Sequence, residues 1–106
     1  MAVDTVPVSE GSKKENRYAF RLRDGGKVFS VPKLQYLSGK GTDFLDEAIE
    51  QGLDEIRLTR ALIAIECPEA AEGARNLAAD QVMWISKRWA EASTITVGES
   101  EGSDES

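Results

Sequence analysis

Apolar and charged side chains alternate from Arg17 to Arg23. Tyr18, Phe20 and Leu22 fall on one side; Arg17, Arg21 and Arg23 fall on the other, with Ala19 beside them. A period of two is that of a half-buried strand. Asp24-Gly25-Gly26 supplies the positive-φ residues a tight turn needs. Lys27 to Val31 then reads as the return strand, and Pro32, which has no N–H for a ladder, ends it. Two strands alone are marginal in water, so another layer must cover the Tyr18–Phe20–Leu22 face.

Beyond the hairpin the period changes. Lys33 to Leu37 is a short apolar link, broken by Ser38-Gly39-Lys40-Gly41. Thr42 is a candidate N-cap for a helix over Thr42–Gln51, with Asp43 and Asp46 placed to favour its dipole. Phe44, Leu45, Ala48 and Ile49 share its apolar face, and Gly52 ends it. The next helix spans about Leu53 to Glu66, with Asp54 as cap. Leu58, Ala61, Leu62 and Ile65 make one stripe, while Ile56 and Ile63 lie elsewhere on the cylinder, so this helix is expected at the centre of the core. Pro68 stops it and opens a further helical stretch, Glu69 to Leu77, which Gly73 weakens. The last helix runs from Ala78 to Ala92, with Ala78, Val82, Ile85, Trp89 and Ala92 on one stripe. The expected fold is α+β: an N-terminal β-hairpin packed on three to four helices, over residues 17–93. Residues 1–16 are polar and read as a disordered leader; residues 94–106 read as an extended, acidic tail.

Composition narrows the function classes. The 106 residues suffice for one domain, and 41% hydrophobic with 30% charged residues describes a soluble globular chain. Net charge is −6, which disfavours nucleic acid and anionic membrane as partners. There is no His, so the commonest general base and zinc ligand are both missing. Cys67 is alone and reads as a small buried hydrophobe. The start Met1-Ala2-Val3-Asp4 lacks the pattern of a signal peptide, and no apolar run is long enough to span a bilayer, so a cytosolic setting is expected. No cofactor loop or metal-ligand spacing is found.

Few motifs carry chemistry. Ser38-Gly39-Lys40-Gly41-Thr42 superficially looks like a phosphate loop but lacks the full spacing, so it reads as a helix-connecting loop. Asp43, Asp46, Glu47 and Glu50 read as a solvated helix face. Trp84 and Trp89 are five residues apart and point about 140° away from each other. Trp89 lies on the stripe and belongs to the core; Trp84, beside Met83, lies off it and fits either packing or an interface anchor. Thr94-Ile95-Thr96-Val97 is β-prone and suits an edge strand or strand addition on binding.

The ending Trp89-Ala90-Glu91-Ala92-Ser93, followed by Gly98-Glu99-Ser100 and Ser103, together with the hairpin ending Val28-Phe29-Ser30-Val31-Pro32, resembles the tail assembly chaperones of long-tailed bacteriophages of actinobacteria. The resemblance covers roughly residues 17 to 103. It implies a non-enzymatic protein of the host bacterial cytoplasm that keeps the phage tape-measure protein soluble until tail-tube subunits polymerise around it. It also implies a longer form made by translational frameshift, through which the tail-tube subunit could be met, this chain being the short form. Self-association suits such a coating protein. The candidate partner-binding residues are Met83, Trp84, Ile95, Val97, Gly98, Glu99 and Ser100, with no catalytic residue expected. The alternatives are an acidic adaptor or regulator of a host protein, and a structural head–tail joining component.

Overall fold

The computed structural model describes the backbone of residues 2–105 and the side chains of residues 2–93. Strands β1 (Arg17–Arg21) and β2 (Val28–Pro32) form an antiparallel hairpin, followed by helices α1 (Gly39–Gln51), α2 (Glu55–Glu66), α3 (Ala71–Arg75) and α4 (Ala79–Glu105). The fold is α+β. Phe20 and Val31 are buried while Ala19 and Arg21 are exposed, as the alternation requires. Phe20 stands between Tyr18 and Phe29, with ring centroids at 5.7 Å and 6.0 Å.

Helix α2 is the central element. It packs against α1, α3, α4 and β2, and buries Thr59, Leu62 and Ile63. Leu62 and Ile63 join Phe20, Val31, Ala70, Ala74, Ile85 and Trp89 in one cluster. Each large apolar side chain in it contributes about 1.5–3 kcal/mol on burial. Ile63 is thus core, although the expected α2 stripe left it out. Cys67 is half-buried and packs on the cluster's edge rather than inside it. Arg60 ties α2 to the segment before α4, donating to the carbonyls of Ala74 at 3.3 Å and Leu77 at 2.5 Å.

The caps explain the helix boundaries. Asp54 caps α2 as expected, its Oδ1 accepting from Arg57 N–H at 2.8 Å. Helix α1 begins earlier than expected: the cap is Ser38, not Thr42, and Ser38 Oγ accepts from Gly41 N–H at 3.1 Å. The Glu66 carboxylate, from the far end of α2, accepts from Ser38 N–H and Oγ–H at 3.0 Å and 2.8 Å. This distant partner fixes the turn, and the two glycines are absorbed into the helix. Gly52 ends α1 in the left-handed conformation at φ 72°. The third helical stretch is split into a 3₁₀ turn, Pro68–Ala70, and the short α3. Its Gly73 allows close approach, since a Cβ there would meet Leu22 Cδ1. At the start of α4, Gln81 Oε1 reaches back to accept from Ala78 N–H at 2.8 Å.

Both ends depart from the sequence reading. Glu10–Ser12 and Lys14–Asn16 are 3₁₀ turns laid against the hairpin, with Gly11 buried against Tyr36 and Pro32. Arg17 reaches across to Gly11 O at 2.8 Å and to Ser30 Oγ and O at 2.8 Å and 3.0 Å. The polar composition of residues 1–16 concealed this, because the contacts are made by backbone. At the other end the backbone of α4 runs on to Glu105, where a strand at Thr94–Val97 and an extended tail were expected. Extending an existing helix adds one hydrogen bond per residue fixed, whereas a strand needs a neighbour. Among the described residues, no helix is long and apolar enough to cross a membrane.

Candidate functional site

Helix α4 presents two faces. Val82, Ile85, Trp89 and Ser93 are buried, while Ala78 is exposed and Ala92 half-buried, so the expected stripe is correct at its centre and shifts to Ser93 at its end. Two hydrogen bonds lock the buried face to the end of β2 and to the segment that follows it. Trp89 Nε1–H donates to Pro32 O at 2.9 Å. Ser93 Oγ accepts from Leu34 N–H at 2.8 Å and donates to Trp89 O at 2.9 Å. Trp89 and Ser93, two residues that carry the family resemblance, therefore have structural roles.

The other face carries Trp84, 58% exposed, and Met83, 41% exposed. The Arg88 guanidinium lies over the Trp84 ring, 5.7 Å from its centroid. Trp84 forms one wall of a groove of about 500 Å³ between α4 and β1. The opposite wall is the stretch from Tyr18 to Asp24, with Leu77 and Ile85 contributing to the lining. Met83 does not line this groove, so the structure separates two residues that the sequence reading joined. The side chains of Ile95, Val97, Gly98, Glu99 and Ser100 lie outside the described residues.

The hairpin register gives this groove a chemical character. Lys33 N–H donates to Asn16 O at 2.9 Å, making these two a hydrogen-bonded pair one step beyond the strands. Alternation along an antiparallel ladder then makes Tyr18–Val31 and Phe20–Phe29 the hydrogen-bonded pairs. Arg17–Pro32, Ala19–Ser30 and Arg21–Val28 are the non-hydrogen-bonded ones. Pro32 is the last residue of β2, so the strand ends there as expected, but at a position that needs no ladder N–H, so the missing donor is not the reason. The N–H and C=O of Ala19 and Arg21 point away from β2. Among the described residues no strand pairs with that edge.

The electrostatics are local. Arg21, Arg23 and Arg88 line the groove and Asp24 is the one carboxylate in its lining, although the chain as a whole is acidic. Arg21 Nε–H also donates to Gly26 O at 3.1 Å, and Arg88 is 3.5 Å from Glu91. Burial raises the Tyr18 phenol above its ordinary pKa, opposed by the Arg88 charge. Tyr18, Arg21, Arg23 and Arg88 were missed as site residues from sequence. The four-residue spacing of Trp84 and Arg88 could have flagged their contact, but the meeting of β1 with α4 has no local signal.

A second, smaller groove of about 340 Å³ lies at the hairpin end among Leu22, Phe29, Gly73 and Leu77. Lys27 stands beside it, 5.6 Å from the Phe29 ring centroid and 3.2 Å from Glu69. Among the described residues no His, Cys, Asp or Glu cluster could hold a metal ion. No protein-family model, curated protein or solved structure matches the chain.

Proposed function

We propose that this protein is a non-enzymatic protein-binding module acting as a phage tail assembly chaperone, which keeps the tape-measure protein soluble in the host cytoplasm. The observation that supports a binding role is Trp84. A tryptophan is costly to leave in water, yet its ring is more than half exposed, capped by Arg88 at the mouth of an aromatic-lined groove. Trp and Arg are the side chains that most often dominate protein interfaces. The assignment to tail assembly rests on the sequence resemblance in the ending from Trp89 to Ser103.

The experiment is co-expression with the tape-measure protein of the same phage. The wild-type chain keeps that protein in the soluble fraction. Trp84→Ala, and separately deletion of residues 94–100, reduces the rescue while the domain stays folded. A complex formed instead with a basic host protein, with no rescue of the tape-measure protein, supports the acidic-adaptor reading. Recovery of the chain in finished particles supports a head–tail joining role, because a chaperone departs.

A further inference from the structure

We infer that the open edge of β1 receives an extended segment of the partner protein as a third strand, and that this segment alternates carboxylate and aliphatic side chains. This names the partner chemistry for the binding face proposed above and rests on that reading.

Three observations carry it. Residues from both faces of β1 line the groove: Tyr18 and Phe20 from the inner face, Ala19 and Arg21 from the outer, with Leu22 and Arg23 following in the turn. A cavity lined by both faces of a strand runs along its edge. The register leaves the backbone groups of Ala19 and Arg21 directed into that edge, where an added strand would pair with them. The period of two then dictates the guest. Its inward side chains meet Tyr18, Phe20, Ile85 and Trp84, which asks for aliphatic groups. Its outward side chains stand beside Arg21, with Arg23 at the end of the groove in the turn beyond β1, which asks for carboxylates. The arginine-rich lining within a chain of net charge −6 gives the same sign. A second copy is disfavoured as the guest, because pairing two β1 edges would set arginine against arginine.

The test uses the full, ¹⁵N-labelled chain and the probe acetyl-Asp-Val-Glu-Ile-Asp-Val-amide. At saturation the Ala19 and Arg21 amides shift, and their hydrogen exchange slows at least tenfold. Charge reversal by Arg23→Glu and Arg88→Glu, both at exposed side chains, weakens binding at least tenfold with an unchanged circular dichroism spectrum. Raising salt from 0.1 M to 1 M, where the Debye length falls from about 10 Å to 3 Å, also weakens it. A response at Trp84 without any change at Ala19 and Arg21 overturns strand addition and leaves the chaperone reading standing. Silence at all three sites, with tape-measure rescue intact, overturns this inference alone; loss of rescue by the wild-type chain sinks both. Faster exchange at Ala19 and Arg21 after deletion of residues 94–106 identifies the chain's own tail as the guest and overturns the proposal. A dimer that protects the same amides does so too.

Discussion

Gly41 and Glu66 lie so close that a Cβ on Gly41 would run into the Glu66 carboxylate oxygen that accepts from Ser38. The glycine, read from sequence as a break, is what lets α2 hold the start of α1. Gly41→Ala must swing that carboxylate aside, so the loss of about 0.5–1.5 kcal/mol per hydrogen bond to Ser38 should offset or exceed the roughly 1 kcal/mol that Ala otherwise adds to a helix. Gly39→Ala, in open space one residue after the cap, should be neutral or stabilising by up to about 1 kcal/mol. Urea unfolding of the two variants checks the contrast, and equal effects would reject the contact.

Trp89 fills the core and bonds Pro32, so its two contributions are separable. Trp89→Ala should cost about 3–5 kcal/mol. Trp89→Phe keeps most of the apolar volume and strands the Pro32 carbonyl, which should cost about 1–3 kcal/mol. If both variants melt at the wild-type temperature, the buried face of α4 is wrongly assigned.

Ser93→Ala removes a single oxygen yet leaves the Leu34 N–H without its acceptor. Equilibrium unfolding should show a loss of about 1–3 kcal/mol, and amide exchange at Leu34 should accelerate. Protection at Leu34 that survives the substitution counts against the lock.

The Tyr18 phenol titrates above its ordinary value of 10.0 in the folded chain because burial disfavours the phenolate. A raised folded pKa means the unfolded chain loses this proton first. The stability it contributes is therefore fully present below pH 10 and is lost as pH rises through the folded pKa. Absorbance titration of Tyr36→Phe, which leaves Tyr18 as the only tyrosine, should give a midpoint above 10 when folded and near 10 in urea. Coincident midpoints would contradict the burial.

Trp84→Ala should change stability by no more than about 0.5 kcal/mol, as surface positions do, while weakening client rescue. A large stability loss would reassign Trp84 to the core.

The sequence made the hairpin legible because alternation, turn glycines and strand composition all agree from Arg17 to Val31. The capping of α2 by Asp54 and the burial of Val82, Ile85 and Trp89 were legible for the same reason: the signals are local. The start of α1 was not, since it depends on Glu66, twenty-eight residues from Ser38. Gly11 was hidden because a backbone contact leaves no mark in a polar stretch. Trp84 was legible as an off-stripe residue. The groove was not, because it exists only where β1 meets α4.

The closure of α4 on the hairpin also sets an order of events during synthesis. Pro32 and Trp89 are 57 residues apart. At roughly 5–20 residues per second, those 57 residues take about 3–11 seconds to make. Throughout that interval Phe20 and Val31 have emerged, or are emerging, without the helix that completes their cover. The nascent hairpin spends its first seconds as an exposed apolar ribbon, and Arg17 and Arg21 on β1 disfavour edge-to-edge pairing with another copy, because such pairing sets like charges against each other.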